Sequence, residues 1–208
     1  MRPRFALVAL AATLLAVAAA CAGDPPSGQG PGGPATTAPA ATSAPATDPP
    51  VTVAAAPETT RAAPKGLIAA GHRKPAPPLQ VTDFKGRTHN LAGLRGRPVV
   101  VNFFESWCVV CRTEQKDLDE VAGDFEGRVQ FLGVSNNDTV SEGRKYQRDF
   151  EIPYPLANDA SGRTWAAWGV PYQPVTVVVD QQGRVAWRFA GLLEPGMLAP
   201  VLEYLVEV

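Results

Sequence analysis

The sequence is short of cysteine and of net charge, and each shortage excludes a class of protein. Its 208 residues include three cysteines, too few for a disulfide-rich scaffold held together by several bridges. The 19 basic and 20 acidic residues leave a net charge of −1. A nucleic-acid-binding protein would show a basic excess or a basic stripe, so we expect no nucleic-acid partner.

A hydrophobic run long enough to span a membrane is also missing. The apolar run from Phe5 to Ala20 has 16 residues, against the roughly 20 that a spanning helix needs. It follows a basic Met-Arg-Pro-Arg start, a pattern typical of a secretory signal peptide. The run leads through three alanines into Cys21, which resembles a bacterial lipobox. We therefore expect residues 1–20 to be a lipoprotein signal peptide and Cys21 to be lipidated.

Two other outcomes fit the same segment. Ordinary signal peptidase could cleave after the alanines and give a soluble secreted protein, or the segment could stay uncleaved as an anchor. All three outcomes place the rest of the chain outside the cytoplasm, where disulfide chemistry is permitted. The expected location is the extracytoplasmic face of a bacterial cell membrane, with lipid anchoring.

Proline and the aromatic residues are unevenly spread along the chain. Ten of the 21 prolines lie within residues 22–65, whereas 15 of the 16 aromatic residues lie at or after Phe84. Of the 44 residues in 22–65, 36 are Ala, Pro, Thr, Gly or Ser. Such a segment cannot bury enough apolar surface to offset its ordering entropy. We predict a disordered linker over residues 21–65 and a folded domain over residues 66–208.

Apolar runs in residues 66–208 predict strands that alternate with helices. Continuous runs typical of strands buried on both faces cover 98–104, 129–134 and 174–179. Hairpins are predicted for 79–91 around a glycine turn and for 174–189 around the turn at 180–183. Helices are predicted for 108–125, for 139–150 with a Thr139–Glu142 capping box, and for 198–205. This order predicts an α/β domain with a mixed sheet and helices on both faces.

The chemistry is predicted at the sequence Trp-Cys-Val-Val-Cys, residues 107–111. Two cysteines separated by two residues can form and open a disulfide within one turn of helix. Cys108 is expected at a helix N-terminus, where free N–H groups and the helix dipole lower the pKa of a thiol. Cys111 lies one turn further, on the apolar face. The pattern therefore indicates an attacking thiol at Cys108 and a resolving thiol at Cys111.

The surrounding residues resemble a known family. Residues 90–114, which include Asn102 and the CxxC, are similar to the TlpA/ResA/DsbE family of thioredoxin-like extracytoplasmic thiol–disulfide oxidoreductases. A second similar stretch, residues 165–180, contains Val-Pro-Tyr-Gln-Pro ending at Pro174. The resemblance covers about Gly71 to Val206. It implies a thioredoxin-like fold with an N-terminal β-hairpin extension.

The resemblance also implies roles for four residues near the cysteines. Pro174 matches a cis proline that faces the CxxC, presents the backbone of Gln173 to a bound peptide and prevents metal capture. Trp107 is expected to shield the disulfide and contact substrate, with ordinary packing as the alternative. Glu114 is expected to relay a proton from Cys111. The alternative for Glu114 is a first-turn carboxylate that stabilises the helix dipole.

Two positions, Glu105 and Val110, depart from the family pattern, and Asn102 differs from thioredoxins proper. Glu105 stands where the family mostly has a small residue; we expect it to be exposed without a role, or to raise the pKa of Cys108. Asn102 replaces the buried aspartate of thioredoxins proper, so that proton relay is absent. Val110 replaces a proline, and no histidine lies between the cysteines. A moderate redox potential is therefore expected, and the direction of electron flow stays open.

Other uses of the cysteine pair fit the sequence less well. Zinc needs four ligands, and the remaining candidates are only Cys21, His72 and His89, so we expect no metal and no cofactor. A copper chaperone of this fold would need CxxxC and a later histidine. A peroxiredoxin would need threonine at the position of Glu105. A structural disulfide in a non-catalytic, lipid-anchored binding module remains as the alternative to an enzyme.

The sequence thus predicts a membrane-tethered enzyme with protein partners. Its expected substrates are thiols and disulfides of secreted or membrane proteins, and a membrane redox partner is expected to recycle the CxxC. Two directions remain open: oxidation of secreted proteins, as in the DsbE branch, or reduction for cytochrome c maturation, as in the ResA and TlpA branches.

Overall fold

The computed structural model describes residues 61–207. The predicted signal peptide, Cys21 and most of the predicted linker lie outside the described residues. No helix within 61–207 is long and apolar enough to cross a membrane.

Seven strands and four α-helices alternate along the described chain. The elements are, in order, β1 (Gln80–Asp83), β2 (Thr88–Asn90), β3 (Val99–Phe103), α1 (Val109–Asp124), β4 (Gln130–Ser135), α2 (Val140–Asp149), β5 (Leu156–Asn158), α3 (Arg163–Ala167), β6 (Val175–Val179), β7 (Val185–Ala190) and α4 (Ala199–Val206). The strands form one sheet in the order β2-β1-β5-β4-β3-β6-β7. Because β4 is parallel to both β3 and β5 while the other neighbours are antiparallel, the sheet is mixed, and the predicted α/β class is confirmed.

Most of the predicted elements are present, and two were missed. The N-terminal hairpin forms β1 and β2, and the second hairpin forms β6 and β7. The capping box is present: the Thr139 hydroxyl accepts the Glu142 N–H, and the Glu142 carboxylate accepts the Thr139 N–H. The two missed elements are the three-residue β5 and the five-residue α3.

The central strand β3 separates two apolar cores. Val100 packs into a core that contains the inner faces of α1, α2 and α4. The neighbouring Val99, Val101 and Phe103 join a second core, which contains Trp165 of α3 and Trp168. Since successive side chains of a strand point to opposite faces, the continuous apolar run of β3 places helices on both sides of the sheet, as predicted.

Candidate active site

The two cysteines are joined as a disulfide where α1 begins. Cys108 is the N-cap of α1, and the Cα atoms of Cys108 and Cys111 are 5.3 Å apart. Cys108 is 8% exposed and Cys111 only 1%. The N–H of Cys111 donates to Sγ of Cys108 at 3.2 Å. In the reduced state this N–H and the helix dipole favour a thiolate at Cys108, while Cys111 stays shielded.

The predicted cis proline is present beside this turn. The Gln173–Pro174 peptide bond is cis. Phe103, the last residue of β3, pairs with Val175, so Pro174 lies level with the point where the chain leaves β3 for the cysteines. Pro174 is buried, and its carbonyl accepts the Gly191 N–H at 2.9 Å. The cis geometry confirms the expectation for Pro174, whereas the roles of Pro174 and Gln173 toward a bound peptide stay predictions.

Glu114 is a buried carboxylate in the second turn of α1. It is 1% exposed, and its two oxygens accept hydrogen bonds from the Asn102 side chain at 3.1 Å and from the Leu193 N–H at 2.8 Å. Burial outweighs these donors and raises the pKa of Glu114 to about 7. The alternative of a first-turn residue at the helix dipole is wrong, because Glu114 lies beyond the first turn and out of water.

Glu114 and Cys111 are three residues apart and share the buried face of the helix. A carboxyl group with a pKa near 7 at this place can take up or release a proton when the Cys111 thiol changes state. The proton-relay role of Glu114 stays a prediction. Asn102 does not itself titrate, but its amide also binds the Thr176 hydroxyl at 3.1 Å and so fixes the donor that Glu114 uses.

The expectation that Glu105 is exposed is wrong. The side chain is fully buried, and its carboxylate accepts bonds from the Ser135 hydroxyl at 2.9 Å, the Asn136 N–H at 3.2 Å and the Asn137 N–H at 3.2 Å. The Asn137 side chain adds a fourth donor at 3.1 Å. Burial raises the pKa of Glu105 above its usual value. These donors lie at the end of β4 and in the two residues after it, 30 residues or more along the chain, and therefore could not be paired with Glu105 from the sequence.

Asp138 is a second buried carboxylate that the sequence did not reveal. Its two oxygens accept the Ser106 N–H at 2.9 Å and the Ser106 hydroxyl at 2.7 Å. Arg112, in the first turns of α1, donates to the Ser106 carbonyl at 3.2 Å. The residues between β3 and Cys108 are thus held from both the β4–α2 loop and α1.

Several large apolar side chains are exposed on the segments that carry the active-site residues. Trp107 is 60% exposed, so the alternative of ordinary core packing for its ring is excluded. Val109 and Val110 are exposed beside it, and Tyr172 lies two residues before Pro174. Leu192 is exposed next to Leu193, whose N–H binds Glu114. We call these five residues the apolar rim; together they suit contact with a polypeptide better than with a small polar molecule.

Neither of the predicted histidine candidates forms a metal centre in this part of the chain. His89 hydrogen-bonds the Asp83 carboxylate at 2.9 Å in the β1–β2 hairpin, and His72 lies exposed in a short 3-10 helix. Within residues 61–207, no three side chains of His, Cys, Asp or Glu converge as metal ligands.

A thioredoxin-like fold with a CxxC disulfide at the start of a helix and a cis proline opposite defines the class of thiol–disulfide exchange proteins. Residues 72–188 match the AhpC/TSA family, and the chain belongs to that family. It is 29% identical over 119 residues to the thiol-disulfide oxidoreductase ResA of Geobacillus thermodenitrificans, covering 57% of this chain and 68% of that protein. It is 30% identical over 123 residues to the thiol:disulfide interchange protein DsbE of Pseudomonas fluorescens biotype C, covering 58% of this chain and 67% of that protein.

Solved structures agree with these relatives. A secreted Mycobacterium tuberculosis disulfide oxidoreductase homologous to E. coli DsbE is 26% identical, with a TM-score of 0.56 over 61% of this chain and 96% of that one. A DsbF homologue from Corynebacterium diphtheriae is 25% identical, with a TM-score of 0.60 over 67% of this chain and 91% of that one. The protein is therefore a thioredoxin-like thiol–disulfide oxidoreductase, and the resemblance to the ResA and DsbE branches is confirmed. The sequence left open an enzyme and a non-catalytic binding module, and the comparisons support the enzyme.

Proposed function

We propose that the protein is a lipid-anchored oxidoreductase that exchanges disulfides with secreted or membrane proteins on the extracytoplasmic face of the cell membrane. The observation that carries the proposal is the unequal burial of the two cysteines: Cys108, the helix N-cap, is the less buried, and Cys111 is almost fully enclosed on the face that it shares with Glu114. One accessible and one shielded sulfur are what a two-step exchange requires.

The exchange proceeds through a mixed disulfide. The Cys108 thiolate attacks one sulfur of a substrate disulfide, forming a Cys108–substrate bond and releasing the other substrate sulfur as a thiolate. Cys111 then loses its proton, for which the Glu114 carboxylate is the acceptor, and attacks Sγ of Cys108. The Cys108–Cys111 disulfide forms, the substrate leaves with both sulfurs reduced, and the pair has lost two electrons. Oxidation of a substrate dithiol is the same sequence in reverse.

The apolar rim supports protein substrates. Trp107 and Tyr172 are large exposed rings on the two segments that lead to Cys108 and Pro174. A peptide lying against them would bring a cysteine to Cys108, with the backbone of Gln173 beside it. Recycling of the pair then needs a redox partner, and for a tethered enzyme a membrane protein is the partner we propose.

Activity is tested with an insulin-reduction assay and with oxidation of a reduced dithiol peptide. Cys108→Ser is expected to abolish both reactions, because Cys111, the other described cysteine, is shielded from substrate. Retention of full activity in this variant would overturn the proposed mechanism. Cys111→Ala is expected to accumulate mixed disulfides, and mass spectrometry of these adducts from intact cells identifies substrates and the recycling partner.

The direction of electron flow follows from the reduction potential of the Cys108/Cys111 pair, measured against a glutathione series. A value near that of thioredoxin, about −270 mV, assigns a reductant of the ResA type, which could act in cytochrome c maturation. A value near that of DsbA, about −120 mV, assigns an oxidant. The Val-Val pair between the cysteines supplies no histidine to stabilise the thiolate, which favours a value between these limits.

Anchoring is supported by the lipobox-like sequence before Cys21, and an extracytoplasmic location also by the secreted nature of the similar M. tuberculosis protein. Cys21→Ser is expected to move the protein from the membrane fraction to the soluble extracytoplasmic fraction. A substituted protein that stays in the membrane fraction would favour an uncleaved anchor instead. A wild-type protein found soluble would favour ordinary signal-peptidase cleavage.

A further inference from the structure

A buried carboxylate with no place in the exchange reaction lies three residues before Cys108. Glu105 begins a turn that ends at the attacking cysteine, since its carbonyl accepts the Cys108 N–H at 3.1 Å. Its side chain contributes to neither the disulfide nor the exposed surface. Burying a carboxylate is costly unless hydrogen bonds hold it, and the four donors on Glu105 come from one loop.

That loop, taken with the last residue of β4 as residues 135–138, holds the active-site turn at two successive residues. Glu105 reaches from the turn into the loop, where Ser135 and Asn137 bind it. Asp138 reaches from the loop back to the turn, where it binds both the N–H and the hydroxyl of Ser106. We call this reciprocal arrangement of Glu105, Ser106, Ser135, Asn137 and Asp138 the carboxylate clasp. Ser135 closes it internally, because its hydroxyl also accepts the Asp138 N–H at 3.1 Å.

The position of the turn matters for the chemistry of Cys108. Its sulfur accepts the Cys111 N–H at 3.2 Å, and such bonds weaken steeply as distance and angle depart from the optimum. A thiolate at Cys108 gains from the helix N-terminus only while the sulfur stays in this place. We propose that Glu105 is a positioning residue, which holds Cys108 at the N-terminus of α1 and thereby stabilises its thiolate.

The charge of Glu105 would act in the opposite direction. A negative charge near Cys108 disfavours a second negative charge and raises the pKa of the thiol. Removal of Glu105 therefore raises the pKa of Cys108 if positioning dominates and lowers it if charge dominates. Three other charged groups adjoin this part of the site, and they are unchanged in the Glu105 variants: Arg112, Glu114 and Asp138.

The test measures the pKa of Cys108 from the rate of its alkylation by iodoacetamide against pH, on the full chain in the reduced state. Glu105→Ala is expected to raise this pKa by about one unit, which reduces the thiolate fraction about tenfold at pH values well below the pKa. The same loss of thiolate stability makes the pair more reducing, and a tenfold change in the glutathione equilibrium corresponds to about 30 mV. Glu105→Gln keeps a carbonyl acceptor in the carboxylate clasp. Its thiolate fraction at Cys108 is expected to stay within a factor of about three of the wild-type value.

The matched control removes a comparable carboxylate from the opposite end of β3. Asp180 is buried, accepts the N–H groups of Gln182 and Arg184, and follows Val179, which pairs with Val99 at the start of β3. Asp180→Ala is expected to lower the unfolding temperature and to leave the pKa of Cys108 and the reduction potential unchanged.

The possible results distinguish a positioning role of Glu105 from an effect of its charge. A raised pKa in Glu105→Ala, with glutamine close to wild type and Asp180→Ala unchanged, supports the positioning role. An unchanged or lowered pKa in Glu105→Ala overturns it, and so does a glutamine variant that shifts as far as alanine. If Glu105→Ala does not fold, Ser135→Ala takes its place, because it removes one donor to Glu105. If the proposal is right, Ser135→Ala raises the pKa of Cys108 enough to reduce its thiolate fraction at least twofold. An unchanged pKa of Cys108 in Ser135→Ala overturns the proposal.

Discussion

At the scale of single residues, two buried glutamates lie symmetrically in sequence about the cysteine pair. Glu105 precedes Cys108 by three residues, and Glu114 follows Cys111 by three. Their partners differ in kind. Glu105 is held by four donors from the end of β4 and the loop after it, whereas Glu114 has a side-chain amide and one backbone N–H. Glu114, which accepts fewer hydrogen bonds, is therefore the carboxylate better able to change its protonation state in the working pH range.

Proton transfer by Glu114 predicts a specific defect in the second half of the exchange. In Glu114→Gln, resolution of a mixed disulfide at Cys108 should slow by about 10²-fold, because a positioned general base contributes 10² to 10⁴. Formation of the mixed disulfide should change by less than about threefold. Stopped-flow kinetics with a preformed adduct separates the two steps. Equal slowing of both steps would assign Glu114 a structural role only.

The raised pKa of Glu114 also predicts how stability depends on pH. A carboxyl group whose pKa is about 7 in the folded protein and 4.5 in the unfolded chain binds more protons when folded. Its contribution to the free energy of unfolding is complete below about pH 4.5 and is lost as the pH rises toward 7. The shift corresponds to roughly 3 kcal/mol at most. Glu114→Gln should therefore flatten the decline in stability between pH 5 and pH 7.

Urea titrations of the oxidised protein at several pH values measure this effect. Asp119, also on α1, has its pKa raised to about 6 by burial and adds to the decline in both proteins, so the informative quantity is the difference between wild type and variant. Glu120→Gln removes an exposed carboxylate of the same helix and provides the control. Parallel stability curves for wild type and Glu114→Gln would contradict the prediction.

At the scale of elements, the sequence predicts best where a pattern is local. The apolar run of β3, the capping box of α2 and the helix that starts at Cys108 each follow from neighbouring residues, and all are present. Strand β5 was missed because its three residues form a strand only by pairing with β1 on one side and β4 on the other. The burial of Glu105 was missed for the same reason, since its partners are distant in sequence.

Helix α2 depends on a glycine for its packing, which gives a prediction for this element. Gly143 lies against the ring of Phe84, and a Cβ added at Gly143 would overlap that ring. Because Phe84 is buried in the core, it cannot move aside without disturbing its neighbours. Gly143→Ala should therefore destabilise the protein by about 1–3 kcal/mol, measured by denaturant unfolding.

The control for this change lies in helix α1. A Cβ at Gly123 would meet no atom within 4 Å. Gly123→Ala should thus follow helix propensity alone and stabilise the protein by about 0.5–1 kcal/mol. Destabilisation by both substitutions would contradict the packing argument, because it would point to backbone effects in place of contact with Phe84.

At the scale of the whole molecule, the active site and the proposed tether belong to different parts of the chain. Every residue placed in the active site lies between Asn102 and Leu193, within the described residues. Both end residues of that stretch are buried within the domain. The domain should therefore catalyse exchange whether or not the N-terminal 54 residues are attached.

The chain around the predicted end of the linker, residues 65–68, contacts the folded domain. The Trp187 indole donates to the Lys65 carbonyl at 3.2 Å, and the Ile68 N–H donates to the Ala186 carbonyl at 2.8 Å. Leu67 packs against the core that contains Trp187. A chain of residues 55–208 should match the full-length protein in unfolding temperature and in insulin reduction. A chain of residues 71–208 loses these contacts and should be less stable by about 2–4 kcal/mol, since two hydrogen bonds and the cover of a buried tryptophan disappear. Thermal unfolding of the three proteins side by side provides the measurement.

Equal stability of the two shortened chains would move the domain boundary beyond Gly71. Lost activity in the chain of residues 55–208 would mean that the N-terminal segment contributes to the site.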